Sequence, residues 1–90
     1  MIHPNARILN ARNTERGIKV RSLILGFLEE RREEATTKEI AEGASLKVYQ
    51  VYFHLLRLTE AGNVMRLSRR PTKWEISNIG QKRISIFLPV

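Results

Sequence analysis

The tightest constraint on this chain is the spacing of its residues between Thr36 and Gly62. Thr36-Thr37-Lys38-Glu39 has the pattern of a capping box, a hydroxyl residue with Glu three positions on. In that arrangement each side chain satisfies a backbone N–H that the first helical turn leaves free. It predicts a short helix from Lys38 to about Glu42, with Ile40 and Ala41 turned inward and Gly43 as a natural stop. Val48, Val51, Leu55 and Leu58 then recur at three- and four-residue steps, the buried stripe of a longer helix from about Lys47 to Ala61 that Gly62 closes.

The flanking segments extend this pattern. From about Thr14 to Glu34, Val20, Leu23, Ile24, Phe27 and Leu28 form the stripe of an amphipathic helix, and Glu29 to Glu34 continue it as a solvated end. After Gly62 come two strand-like runs, Asn63–Ser68 and Lys73–Ser77. The second places Trp74 and Ile76 on one face and Lys73 and Glu75 on the other. Arg69-Arg70-Pro71-Thr72 between them is a polar turn, so the two runs predict a β-hairpin with a basic tip. Ser77 can cap a last helix over about Asn78–Phe87. Arg83-Ile84-Ser85-Ile86 alternates, however, and reads equally as a strand. Residues 1–13 read as an arm in which Ile8-Leu9 is a short apolar pair able to dock, and residues 14–90 read as one domain. The fold class expected is mainly α with a small hairpin, α+β.

Charge says more about partners than about fold. Sixteen Lys and Arg face nine acids, a net +7, and residues 62–90 alone carry six basic side chains and one acidic. Such an excess points to a polyanionic partner. The chemistry of catalysis is thin. The chain has no Asp, no Cys and only His3 and His54. A Ser-His-Asp triad cannot be assembled, a thiolate metal site is excluded, and the five glycines are scattered singly rather than forming a phosphate loop. His54 lies toward the inner edge of its helix and reads as a packing residue. The expectation is a non-enzymatic protein with no cofactor, no metal and no evident small-molecule ligand. No apolar run approaches the roughly 18 residues of a membrane span, and the N-terminus lacks a signal-peptide core, so a soluble, cytoplasmic protein with no membrane partner is expected.

The order helix, short helix, turn, helix, hairpin, helix resembles the winged helix-turn-helix regulators of the ArsR and MarR type. The resemblance lies between Thr36 and Gly80. It is carried by Thr37-Lys38-Glu39-Ile40-Ala41, by Val51, His54-Leu55, Leu58 and Glu60-Ala61-Gly62, and by Trp74-Glu75-Ile76-Ser77 with Gly80. Ala41 is small where the two helices would cross, Leu46 would plug the turn, and Val51 would pin the second helix to the core. The turn position often filled by Gly is Ser45 here. The resemblance implies a double-stranded DNA partner, with the helix from Lys47 entering the major groove by its N-terminal part.

The helix face opposite Val51 and Leu55 carries Leu46, Tyr49, Phe53, Leu56 and Glu60, flanked by Gln50 and Arg57. Gln50 suits adenine, which it can engage at two points. Tyr49 offers a hydroxyl to a phosphate or base edge, and Phe53 suits a thymine methyl. Lys47 and Arg57 would neutralise phosphates. On the hairpin, Arg66, Arg69, Arg70 and Lys73 put positive charge on a narrow finger suited to a phosphate strand or a minor groove. Against this stands a plainer reading in which Tyr49, Tyr52 and Phe53 pack on the arm or on a second subunit. A homodimer is expected, through the arm and first helix, the apolar segment Ile84–Val90, or both. Two other functions remain open, a protein–protein adaptor and a sequence-indifferent architectural protein. Fold alone does not choose among them.

Overall fold

A computed structural model describes residues 2–8 and 13–77. Its elements run α1 (Glu15–Arg31), β1 (Ala35–Thr36), α2 (Thr37–Ala44), α3 (Val48–Glu60), β2 (Val64–Arg69) and β3 (Thr72–Ile76). This is the α+β class expected and the element order of a winged helix-turn-helix. The segment 78–90, and with it the last helix or strand and the apolar residues 84–90, lies outside the described residues.

Thr14 caps α1 by accepting a hydrogen bond from the Gly17 N–H. The helix stops at Arg31, three residues short of the expected end. Arg32 adopts a left-handed conformation (φ 57°) and its N–H returns to the Leu28 carbonyl. That early stop frees Ala35-Thr36 to pair with β3, forming a sheet strand that two residues are too few to announce in the sequence. The buried stripe of α1 is also rotated. Arg21 and Leu25 are inside, whereas Leu23, expected in the core, is 46% exposed and Phe27 only packs against the core's edge. The N-terminal segment accounts for the rotation, because Ala6 and Ile8 are buried and Arg21 Nε donates to the Ala6 carbonyl at 2.6 Å.

The capping box forms as expected. The Glu39 N–H donates to Thr36 Oγ1, and the Thr36 N–H donates back to Glu39 Oε1. Gly43 does not stop α2, which runs one residue further. Its hydrogen instead makes room for a neighbour, since a Cβ there would sit 2.1 Å from Phe27 Cε2. The stop is at Ser45. The Ser45 N–H donates to the Glu42 carbonyl and the Leu46 N–H to the Ala41 carbonyl, the paired bonds of a Schellman motif with a left-handed residue (φ 57°) at its centre. The same motif closes α3, with Gly62 (φ 82°) in the left-handed place and Asn63 bonded back to Leu58.

The sheet order is β1-β3-β2, all antiparallel. Opposite β3, Arg66 pairs with Trp74 and Ser68 with Lys73, so Leu67 is an extra residue that bulges β2. The hairpin turns through a cis Arg70-Pro71 bond. Its tip is tied by Ser68 Oγ donating to the Pro71 carbonyl and Thr72 Oγ1 to the Arg69 carbonyl. Ile24, Leu25, Leu28, Ile40, Val51, Leu55, Leu58, Val64 and Trp74 form one core between the helices and the sheet. Ala41 is buried within it, as expected of a close crossing of α2 and α3, and Leu46 packs against it.

Gly26 in α1 and Gly43 in α2 predict opposite responses to a methyl group. Among the described residues nothing lies within 4 Å of a Cβ on Gly26, so Gly26→Ala should raise stability by about 0.5–1 kcal/mol through helix propensity. Gly43→Ala must displace the Phe27 ring and should cost about 1–3 kcal/mol. Urea midpoints measure both, and shifts of the same sign would contradict the packing described.

Candidate nucleic-acid interface

The candidate surface is built from α3 and the hairpin. Inward residues of α3 are Val51, Leu55 and Leu58, all fully buried, which turns Tyr49 (72% exposed) and Phe53 (53%) outward one helical turn apart. Val48, expected in the buried stripe, is 49% exposed, because the first helical residue lies beyond the core's edge. Leu56, expected on the outer face, instead packs against the core, and Leu46, placed by the spacing both on that face and as the plug of the turn, packs inward as the plug. Gln50 is half-buried in the first turn, on the flank nearer α1. Lys47 occupies the N-cap without a side-chain capping bond, and its ammonium lies 5.9 Å from the Tyr49 ring centre.

Of the basic residues singled out, several are engaged within the protein. Arg57 stacks its guanidinium 5.3 Å from the Phe53 ring centre and meets Glu60 at 3.6 Å. Lys73 is drawn to Glu34, beyond the end of α1, at 3.2 Å. Arg66 lies over two rings, 5.9 Å from Tyr52 and 5.2 Å from Trp74, and donates to the Tyr52 hydroxyl at 3.1 Å. Arg69 and Arg70 sit exposed at the hairpin tip, with no acidic partner among the described residues. The structure thus brings Lys47 to Tyr49 and Arg57 to Phe53 along α3, joins the hairpin to that helix at Arg66, and carries Arg69 and Arg70 further out at the hairpin tip. It leaves Lys73 turned toward β1.

Tyr52 was not among the expected contact residues, yet it joins the two halves of the surface. Its ring meets the Trp74 ring edge-on, with centres 6.0 Å apart, while its hydroxyl holds Arg66. The sequence signal was there, since Tyr52 follows Tyr49 by three residues and so shares its side of the helix.

His54 lies on the opposite flank of α3, half-buried, with Arg21 Nη1 3.5 Å from its Nδ1. Burial, and then the Arg21 charge, hold its pKa below the ordinary histidine value. At the capping box, the Thr36 backbone N–H and then Arg31 hold the Glu39 carboxyl below the usual carboxylate range. Among the described residues no group of three His, Cys, Asp or Glu is placed to hold a metal ion, and no helix is long and apolar enough to cross a membrane.

A short helix, a left-handed turn, an outward-facing helix and a basic hairpin, packed on one supporting helix, define a winged helix-turn-helix domain. The chain belongs to the FaeA-like protein family, whose sequence model matches residues 20–78, more than half of the chain. Among solved structures it is similar to the Zalpha domain of PKZ from Carassius auratus, crystallised in complex with Z-DNA. That match has 22% identity and a TM-score of 0.59, and covers 64% of this chain and 92% of that one. No curated protein matches the chain.

The lowered His54 pKa sets the sign of a pH effect. The unfolded chain takes up a proton on this ring near the ordinary value of 6.5, whereas the folded chain resists it. This contribution to stability is therefore whole above that pH and is lost as pH falls toward the lowered folded value. Acidifying from about pH 7.5 to about pH 5.5 should lower the Tm of the native chain more than that of His54→Gln. Parallel losses in the two proteins would show that His54 is not the group responsible.

Proposed function

We propose that this chain is a double-stranded DNA-binding regulator of transcription that reads sequence with α3, acts as a homodimer and has no catalytic activity of its own. One observation carries the reading. Tyr49 and Phe53 face outward on α3, and Tyr52 joins that helix through Arg66 and Trp74 to a hairpin whose tip carries Arg69 and Arg70 with no acidic partner among the described residues. Such a pairing suits a duplex, because a helix in the major groove places a neighbouring finger against the phosphates. The Z-DNA in the complex of the solved neighbour supports a DNA partner for this fold. The regulator role draws on the resemblance to ArsR and MarR proteins.

In this reading Gln50 pairs with adenine, Lys47, Arg57 and Arg66 lie near phosphates, and Arg69 and Arg70 follow the backbone from the wing. Lys73 would have to leave Glu34 to join them. Residues 1–13 act as an arm on a single domain, 14–90, and the protein works in the cytoplasm without a cofactor or membrane partner. The dimer reading rests on the small core of a 90-residue chain, the apolar sequence Ile84–Val90, and the exposed Leu23 and Ile2.

Selection of bound duplexes from a random DNA pool tests the whole reading, and an enriched inverted repeat is the expected result. Enrichment without a repeat would remove the symmetric dimer, tight binding without enrichment would make the protein architectural, and no binding would make it an adaptor. Changing both Arg69 and Arg70 to Ala should weaken binding to all sequences and reduce the slope of log affinity against log salt by about 0.9 per lost contact. An unchanged slope would remove the wing from the interface. Gln50→Ala should instead flatten the preference at one or two base pairs by about 1–3 kcal/mol and leave binding to random DNA nearly unchanged.

A further inference from the structure

The outward strip of α3 is apolar, and its borders are cationic. Val48, Tyr49 and Phe53 are each about half or more exposed, and Gln50 is the one residue beside them with a hydrogen-bonding amide. Lys47 bounds the strip at its start, and Arg66 stands on the wing side, held on Tyr52. Exposed aromatics of this size mark a surface with a partner. Their charged border selects the partner, since it matches two rows of phosphates with an apolar feature between them. On the floor of the major groove the thymine C5-methyl is the apolar group that a base edge presents.

Stacking on unpaired bases fits the geometry less well. It requires open ring faces, whereas the Lys47 ammonium and the Arg57 guanidinium lie over the Tyr49 and Phe53 rings, 5.9 and 5.3 Å from their centres. Both side chains nonetheless keep about half or more of their surface exposed for side-on contact. We infer that Tyr49 and Phe53 read thymine methyl groups, so that the half-site beneath α3 is A·T-rich and is recognised largely by apolar contact. This inference rests on the duplex-DNA reading above.

The test uses the full chain and a duplex enriched from the random pool, with each thymine in turn replaced by deoxyuridine, which deletes only the methyl group. Loss of each contacted methyl should weaken binding by about fourfold, the factor expected for one buried carbon. Phe53→Ala and Tyr49→Ala should each abolish the penalty at the thymine that residue touches, giving a non-additive double-mutant cycle. Both side chains are largely exposed, so the variants should keep the native circular dichroism spectrum, and the thymine–uracil comparison on the unmodified chain does not depend on them. Tight duplex binding that is indifferent to every methyl would overturn the inference and leave the DNA-binding reading standing. Tighter binding to single strands than to duplex would overturn it in favour of stacking. An oligomer that Phe53→Ala dissociates, with no uracil penalty, would overturn it and give the strip to a second copy of the chain. Failure to bind any duplex would overturn both readings.

Discussion

The arrangement of this domain depends on the burial of Trp74. Its ring is wholly buried, and its indole N–H donates to Thr37 Oγ1 at 2.8 Å in the first turn of α2. A buried indole without a partner would leave an unsatisfied donor, so the bond fixes how far β3 can slide past α2. On the sheet, Trp74 stands opposite Ala35 of β1 and Arg66 of β2. Toward α3 it meets the edge of Tyr52. One side chain therefore sets the sheet against both helices of the turn motif. The wing's angle to α3 follows from that contact, and the length of its loop is secondary.

Cations on this surface fall into three groups by how they are held. Lys47, Arg57 and Arg66 rest on aromatic rings, an interaction worth about 0.5–1 kcal/mol at exposed sites. That is enough to bias their direction over the rings. Lys73 is committed to Glu34 and adds to the sheet's edge more than to the surface. Arg69 and Arg70 have neither restraint among the described residues. The hairpin thus combines a root where Arg66 is held by Tyr52 and Trp74 with a tip whose charges have no such partner among the described residues.

Much of the fold was legible because it follows local rules. The capping box at Thr36, the period of Val51, Leu55 and Leu58, and the closing Gly62 each formed where spacing placed them. What the sequence hid depends on tertiary contact. Strand β1 is two residues long and exists only because β3 lies beside it. Gly43 reads as a stop by itself, and only the Phe27 ring shows that it serves close packing. Ser45 takes the left-handed place that Gly62 fills in the second motif, so the turn tolerates a conformation that costs a side-chain residue roughly 1–2 kcal/mol. The outer face of α3 was legible to within one flank. Leu46 and Leu56 belong to the core because the sheet and the crossing of α2 widen the buried arc beyond an ideal stripe. Tyr52 gains its position from Arg66 and Trp74, one on each strand of the hairpin and both distant from it in sequence.

Arg21 explains why an N-terminal segment with little pattern still joins the core. Burying a guanidinium is costly unless its donors are met, and no carboxylate among the described residues meets them. Dipoles do so instead. Nε donates to the Ala6 carbonyl, and Nη2 donates to Asn13 Oδ1, whose amide also grips the Ile8 N–H and carbonyl. Burial correspondingly lowers the pKa of Arg21 from its ordinary value. The segment must stay in place for that charge to remain satisfied, so the cost of the buried cation becomes a tether between chain start and α1. The same guanidinium faces His54 on α3, and the His54 ring meets Phe53 edge-on at 5.3 Å. Helix α3 is thus supported on both flanks, by Trp74 and Tyr52 toward the hairpin and by Arg21 and His54 toward the N-terminal segment. An outward aromatic strip can present fixed edges only when it is supported from both sides in this way.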